Sequence, residues 1–279
     1  MAKLLPKDIQ NLKGVRKITK VTALDYFSAR AIEKAGIDII GLDGPPIEIY
    51  YKGAKDGMKA SLDELIFCLK AIRKGAPNTF ISVPIPYGYT NINSEKTISA
   101  ATSLIKNGAD AVKIEGSPSG LEKIEKLTHQ GIPCVSTIGL NVEISLRDGF
   151  RCIGKKADEA INQYNNALYL QDLGIIWLEI ECMPYKVAAS ITKLLKIPTI
   201  GIGSGPRCDG QFLHSEDLLG MHDRYYPKHS KKYLSFFEDS VTALQKFKDE
   251  VDSGQFPKET NSFEIDEEQF GLFEGANQS

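Results

Sequence analysis

The sequence lacks the features of a membrane protein and of a disulfide-bonded secreted protein. No apolar run approaches the roughly 18 residues that a membrane-spanning helix requires. The five cysteines are an odd number and lie far apart without a CxxC pair, which argues against a disulfide framework and a structural zinc site. The polar segment 1–20 has no apolar core of a secretory signal. We therefore expect a cytoplasmic protein with reduced thiols.

A bias toward charge of one sign is also absent. The formal net charge is −2, and Lys and Arg are interspersed with acidic residues. This pattern favours neither a nucleic acid nor a membrane surface as a partner. With 42% hydrophobic and 25% charged residues, the 279-residue chain has the composition of a globular protein, either one large barrel domain or two small ones.

Several common catalytic signatures are missing. There is no nucleophile elbow, and the four histidines include no pair at i and i+4 that would indicate zinc. Among these histidines, only His214 follows a strand in a way that could place it at a site. The glycine-rich run 201–206 is not a dinucleotide fingerprint, because Pro206 stands where a helix should open. The run could instead cradle an anion or form a tight turn.

Short β-rich runs alternate with amphipathic helical stretches eight times along the chain. This pattern predicts an α/β protein, and eight units fit a (β/α)8 TIM barrel better than a doubly wound sheet. The predicted strands are 17–23, 38–43, 80–85, 111–115, 133–138, 175–180, 198–202 and 211–214. The predicted helices are 26–35, 61–74, 94–107, 119–129, 157–173, 185–195 and 229–253.

The domain prediction is a barrel over residues 1–255 and a C-terminal tail over 256–279. The tail is rich in acids, amides and glycines around three phenylalanines. We expect it to be disordered or to dock on a neighbouring surface.

Glu181 is the most informative residue of the sequence. An apolar run ends at Ile180, and Pro184 then opens a helix, so Glu181 lies where a buried strand passes into a loop. In α/β folds this edge of the sheet carries the chemistry. The alternative is a solvated loop acid or a charge at a helix N-terminus.

Other charged residues end predicted strands as Glu181 does. Asp43 closes the second strand, and Lys113 and Glu115 flank Ile114 at the end of the fourth, where period-two alternation points both to one side. Acids and a lysine around one cavity could hold a divalent cation and orient an anionic substrate. Alternatively, such acids only cap helices or pair with lysines.

The sequence resembles the ketopantoate hydroxymethyltransferase family of the phosphoenolpyruvate mutase and isocitrate lyase superfamily. The likeness covers roughly residues 17–263. The matching segments are 17–26, 73–78, 112–116, 131–133, 138–140, 181–184, 197–205, 208–211 and 251–257. The number of ordered matches supports the same barrel fold.

The resemblance implies a chemistry and a set of site residues. Family members act in pantothenate biosynthesis, bind Mg²⁺, remove the proton next to the ketone of 3-methyl-2-oxobutanoate, and add a hydroxymethyl group from methylenetetrahydrofolate. By this likeness Glu181 is the general base, and Asp43 and Glu115 hold a divalent cation. Asp43, Gly44 and Lys113 bind the 2-oxo acid. A homo-oligomer is implied in the same way.

The sequence departs from the family pattern within the site. Pro84 stands where the family has a metal-binding aspartate, and Gly44 stands where it has a substrate-binding serine. Thr137 and Glu216 each replace a histidine. These changes leave the proposed base in place but alter its surroundings.

Three functions therefore stay open. The first is a metal-assisted hydroxymethyltransferase or close aldolase acting on a 2-oxo acid. The loss of the metal ligand at Pro84 argues against an unchanged form of this function. The second is another carbon-carbon lyase or mutase of the superfamily, acting on another 2-oxo or dicarboxylic acid. The third is a non-catalytic relative, against which the presence of Glu181, Lys113 and Glu115 argues.

Overall fold

Eight parallel strands form a closed barrel in the computed structural model, which describes residues 3–53 and 60–276. Each strand pairs with its neighbours in sequence, and the last returns to the first. This arrangement confirms the predicted (β/α)8 barrel and all eight predicted strands. The strands are β1 (Ile18–Thr22), β2 (Ile39–Gly41), β3 (Phe80–Pro84), β4 (Ala111–Glu115), β5 (Cys134–Gly139), β6 (Leu178–Glu181), β7 (Thr199–Ile202) and β8 (Gly210–Leu213).

Helices connect the strands, and polar caps fix where several of them begin. The Asp25 carboxylate accepts hydrogen bonds from two backbone amides at the start of α2, and Ser61 caps α4 in the same way. The helices are α1 (Pro6–Asn11), α2 (Tyr26–Lys34), α3 (Gly44–Pro46), α4 (Leu62–Gly75), α5 (Tyr89–Ile92), α6 (Ser94–Lys106), α7 (Pro118–His129), α8 (Val142–Asp148), α9 (Ala157–Asp172), α10 (Tyr185–Leu194), α11 (Ser215–Leu218), α12 (Phe236–Asp252) and α13 (Glu267–Ala276). A π-helical turn over Ile47–Tyr51 continues α3, and Glu259–Asn261 forms a 3₁₀ turn.

The chain divides into two compact units, residues 1–233 and 234–279. The first contains the barrel and α1 to α11, and the second contains α12 and α13. The boundary predicted at residue 255 stays a prediction. The predicted tail contains the 3₁₀ turn and α13, and its residues 277–279 lie outside the described part of the chain.

Apolar side chains fill the amino-terminal end of the barrel interior. Phe80 of β3 and Trp177, just before β6, make an edge-to-face contact with ring centroids 5.6 Å apart. Isoleucines from β1, β2 and β7 belong to the same buried cluster. Branched apolar residues are the usual filling of such barrels. This end therefore forms a packed floor, above which the more polar carboxyl end opens.

The carboxyl end of the barrel, here called its mouth, is shaped beside Glu181 by a close approach of two backbone segments. Gly139 ends β5 with φ of 91°, and a Cβ atom there would lie 2.1 Å from the carbonyl oxygen of Glu181. Only glycine satisfies both the positive φ and this contact. The end of β6 is thereby held tightly against β5.

Candidate functional site

A cavity of about 810 Å³ opens at the carboxyl ends of the strands. The structure brings all the sequence-predicted site residues to its wall: Asp43, Gly44, Lys113, Glu115 and Glu181. Their roles stay predictions, but their convergence on one cavity is what the barrel hypothesis required. No helix among the described residues has both the length and the apolar character needed to cross a membrane.

Strand register places the charged residues inside the barrel. Lys113 and Glu115 alternate with the buried Ile114 on β4, and Glu115 pairs with Thr137 of β5. Because residues that are opposite each other in register point to the same side, these side chains share the interior. The sequence pattern alone could therefore indicate that Lys113 and Glu115 act together.

The backbone turns sharply after Glu181. Cys182 has φ of 49°, and within the described residues it is the sole non-glycine position with a positive φ. Its amide donates to the carbonyl of Ile202 at 2.9 Å, which holds the turn against β7. Non-glycine residues in this region are uncommon and cluster at functional sites. The turn directs Glu181 into the cavity before α10 begins.

Four charged side chains form an alternating chain across the barrel. Lys20 of β1 is paired with Glu179 of β6, and the second Glu179 oxygen lies 3.5 Å from the Lys113 ammonium nitrogen. Lys113 in turn lies 2.8 Å from Asp43 Oδ1. All four are at most 9% exposed. Lys20 and Glu179 were not among the predicted site residues, although each lies two positions before another inward-facing polar residue, Thr22 or Glu181.

Opposite charges keep Asp43, Glu179 and Lys113 ionised despite their burial. Burial disfavours an Asp43 carboxylate, but Lys113 and Lys20 outweigh it and hold the pKa of Asp43 below its usual range. Glu179 is affected in the same way by the same two lysines, so its pKa is also lowered. Burial opposes the charge of Lys113, yet Asp43, Glu179 and Glu115 raise its pKa well above the usual value. The mouth therefore contains a fixed ammonium group.

The pKa of Glu181 is shifted in the opposite direction to that of Asp43. Burial raises its pKa to about 8, because the attraction of Lys113 does not offset burial and the repulsion from Glu115, Glu179 and Asp43. A carboxyl group with this pKa exchanges protons near neutral pH. Such a value suits a general base that removes a proton from carbon and later returns one.

Of the residues predicted to depart from the family pattern, Gly44 and Pro84 line the cavity. Pro84 ends β3 in register with Lys113 and lines the wall, and its side chain has no oxygen that could bind a metal. Thr137 Oγ1 is buried and has no hydrogen-bond partner among the described residues. His214 lines the cavity as expected, its pKa is lowered by burial, and its Nδ1 likewise has no partner within the described part of the chain.

Glu216 does not face the cavity. It is buried and accepts a hydrogen bond from Thr22 Oγ1 at 3.1 Å, and burial raises its pKa to about 7. The neighbouring Asp217 does line the cavity, and it contacts His222 Nε2 at 2.9 Å and Ser230 Oγ at 2.7 Å.

The glycine-rich run after β7 is a tight turn packed on α10. A Cβ atom at Gly205 would lie 2.4 Å from the Cβ of Tyr185, and φ is positive at both Gly203 and Gly205. Ser204 Oγ donates to the Ile180 carbonyl at 2.8 Å. Of this run only Ile202 reaches the cavity wall. The structure thus favours the turn over an anion cradle.

The oxygen donors at the mouth fit a hard cation better than zinc. Within residues 3–53 and 60–276, no three His, Cys, Asp or Glu side chains are grouped so that they could hold a metal ion. Asp43 and Glu115 nevertheless both line the cavity, and Asp43 Oδ2 has no hydrogen-bond partner in that part of the chain. Mg²⁺ is commonly held by one or two carboxylates together with substrate and water oxygens.

Several solved enzyme structures share this fold. Phosphonopyruvate hydrolase, crystallised with oxalate and Mg²⁺, superposes with a TM-score of 0.60 over 100% of this chain and 96% of its own, at 12% identity. For 2,3-dimethylmalate lyase the TM-score is 0.59, with 98% and 94% covered at 13% identity. At these identities the comparison shows the shared fold alone.

Comparison with known sequences identifies the family, which the structural comparison does not. A protein named 3-methyl-2-oxobutanoate hydroxymethyltransferase from Thermosipho africanus is 39% identical over 257 residues, which cover 92% of this chain and 97% of the relative. Its namesake from Acetivibrio thermocellus is 38% identical over 261 residues, covering 93% and 92%. A family model described as ketopantoate hydroxymethyltransferase matches residues 3–259. The chain therefore belongs to the ketopantoate hydroxymethyltransferase family.

Proposed function

We propose that this protein catalyses metal-assisted hydroxymethyl transfer to a 2-oxo acid, as its named relatives do with 3-methyl-2-oxobutanoate. The observation that carries the proposal is the pairing of Glu181, whose pKa is about 8, with the fixed Lys113 ammonium in one cavity. A base of this kind and a cation are what proton removal next to a ketone requires.

The chain's own residues divide the reaction between them. Lys113 binds the carboxylate of the 2-oxo acid, and Glu181 takes the proton from the carbon next to the ketone. The electron pair left by that proton forms the new carbon-carbon bond to the one-carbon unit. Both bonds from that unit to folate nitrogens break, and water supplies the hydroxyl group. The two nitrogens take up the proton from Glu181 and the second proton of the water, so tetrahydrofolate leaves. The small Gly44, where the family has a serine, leaves room beside the substrate. Methylenetetrahydrofolate is the proposed one-carbon donor.

Asp43 and Glu115 are the residues that would hold a divalent cation such as Mg²⁺. The support is the donor chemistry: both are cavity-lining carboxylates, and one Asp43 oxygen keeps its acceptor capacity. When bound, the cation would offset negative charge that develops on the ketone oxygen.

Pro84 favours a second candidate within the same chemistry. It removes an acid from the mouth and extends the apolar wall formed with Ile85 and Pro86. A site altered in this way suits a lyase or mutase that acts on another 2-oxo or dicarboxylic acid. The base and the lysine would keep their roles.

A homo-oligomer is also proposed. Apolar residues of α12 recur at spacings of three and four, which places them on one helix face, and each is more than a third exposed. They are Phe237, Val241, Leu244, Phe247 and Val251. A light-scattering mass that is a multiple of the 30.8 kDa chain mass would support the proposal, and the mass of a single chain would reject it.

A transfer assay tests the proposed function. The full chain is incubated with Mg²⁺, 3-methyl-2-oxobutanoate and methylenetetrahydrofolate labelled with carbon-13 in the methylene carbon. We expect a new hydroxymethyl signal by NMR, its loss on chelation and its return with added Mg²⁺. If the substrate's proton exchanges with solvent but no hydroxymethyl product forms, the lyase or mutase candidate replaces the first.

A further inference from the structure

An ion pair occupies the middle of the barrel interior, directly below the mouth. Lys20 and Glu179 are each 1% exposed, in a region that such barrels usually fill with branched apolar residues. Gly41 of β2 provides the space for the lysine, because a Cβ atom there would lie 2.7 Å from Lys20 Cε. Removing two charges from water is costly, and apolar residues of similar volume often serve stability as well. The pair therefore calls for a role other than stability.

The Glu179 carboxylate is fixed on one side and open to the site on the other. Its Oε1 accepts hydrogen bonds from Lys20 Nζ and, at 3.3 Å, from Trp177 Nε1. The Lys20 ammonium also lies 4.2 Å from the centroid of the Phe212 ring, which limits its movement. The remaining oxygen, Oε2, lies 3.5 Å from Lys113 Nζ. This contact links the buried Lys20–Glu179 pair to Lys113 at the cavity wall.

We propose that Lys20 and Glu179 are positioning residues for the reaction: Glu179 holds the Lys113 ammonium where it receives the substrate carboxylate, and Lys20 holds Glu179. This inference rests on the proposed function. Without Glu179, the contact with Asp43 at 2.8 Å draws the Lys113 ammonium toward the end of β2. Without Lys20, Glu179 is left with Lys113 as its cation and draws the ammonium down into the barrel. Either change displaces the group that binds the substrate.

A double-mutant cycle separates positioning from stability. The variants are Glu179→Gln, Lys20→Met and the double variant, which retains the shape of both side chains and an acceptor for Trp177. The readouts are the melting temperature and the KM and kcat for exchange of the proton next to the ketone of 3-methyl-2-oxobutanoate in deuterium oxide, followed by NMR. Each single variant leaves one buried charge with fewer partners, so its melting temperature should fall.

The double variant distinguishes a positioning role from a purely structural one. It does so even if the single variants fail to fold. We expect its melting temperature to recover while KM stays raised by about tenfold or more, since a small displacement of a binding group is sufficient for such a loss. Its kcat should change little at about pH 10, where Glu181 is ionised with or without the repulsion from Glu179 and the base is intact. A double variant with parental KM would overturn the proposal and leave the pair a structural role.

Two controls keep the outcomes distinct. Lys13→Met breaks another ion pair, with Asp209 at 2.6 Å, away from the cavity, and should leave KM unchanged. Glu181→Gln tests the proposed function itself. Loss of exchange in that variant together with a parental KM in the double variant rejects only the positioning role. Absence of exchange in the parent protein, or full exchange in Glu181→Gln, rejects the proposed function and the inference with it.

Discussion

Glu181 and Asp43 line the same cavity, but the pKa of Glu181 is raised and that of Asp43 is lowered. Two lysines act on Asp43, and their attraction outweighs burial. Glu181 has Lys113 as its attractive partner and is repelled by three carboxylates, so burial prevails. One environment thus provides an ionised acid suited to a cation or substrate and a second acid whose proton exchanges near neutral pH.

The pKa of Glu181 gives the reaction a definite pH dependence. With a pKa of about 8, roughly one tenth of the base is ionised at pH 7. The rate constant kcat/KM for proton exchange should therefore rise about tenfold per pH unit below that pKa and level off above it. It is measured by NMR from about pH 6 to pH 10.

A matched variant identifies the titrating group. Glu216 also has a raised pKa, about 7, but it faces Thr22 and not the cavity. Glu216→Gln should leave the inflection near pH 8 in place. A profile that is flat across this range, or an inflection that disappears in Glu216→Gln, would contradict the assignment of Glu181 as the base.

The end of β3 is the element that differs most clearly from the family pattern. Pro84 pairs in register with Lys113, so an acid at this position would project beside the other charged groups. Pro84→Asp should tighten Mg²⁺ binding, because hard cations gain from an added carboxylate. Titration calorimetry measures this effect, and Pro86→Ala in the following loop serves as a control for the loss of a proline ring.

In Pro84→Asp we do not expect the rate of hydroxymethyl transfer to rise with the affinity for Mg²⁺. Gly44 and Thr137 also change the pocket, and one added ligand does not reverse them. We expect tighter Mg²⁺ binding without a rise in hydroxymethyl transfer to 3-methyl-2-oxobutanoate. An unchanged Mg²⁺ affinity would mean that Asp43 and Glu115 do not hold the cation.

The sequence predicted most elements because their signals are local. Strands such as β3 are mainly apolar runs that end at a proline, and α2 and α4 begin at side chains that cap them. The seven-residue α8 was not predicted, since a helix of about two turns has little periodicity to detect. Asp43, Lys113, Glu115 and Glu181 could be placed at the cavity because each lies at the end of a predicted strand, and Gly44 because it follows Asp43.

Lys20 and Glu179 could not be predicted in the same way. A lysine or glutamate within a strand usually indicates a solvated face. Closure of the barrel is what turns both side chains inward, and it depends on pairing between β1 and β8, which are far apart in sequence. Alternation of Lys20 with Thr22 and of Glu179 with Glu181 was the available signal.

For the molecule as a whole, the barrel fold says less about the function than the residues of the site do. The structural neighbours share the fold at 12% to 13% identity, yet they include a hydrolase and a lyase. Function belongs to the groups at the mouth and not to the architecture. Relatives at 38% and 39% identity show the family to which the chain belongs. We propose that its chemistry depends on Glu181, Lys113 and the carboxylates beside them.

Proton exchange in the Glu181→Gln variant tests that claim most directly. The variant keeps the volume of the side chain and removes the proton acceptor, so exchange of the proton next to the ketone of 3-methyl-2-oxobutanoate with solvent deuterium should fall by about 100-fold or more. Glu33→Gln is the matched control, because Glu33 contacts Asn78 and Thr79 before β3, at the opposite end of the barrel. Loss of exchange in Glu181→Gln with parental exchange in Glu33→Gln is the predicted result. Undiminished exchange in Glu181→Gln would show that another residue is the base.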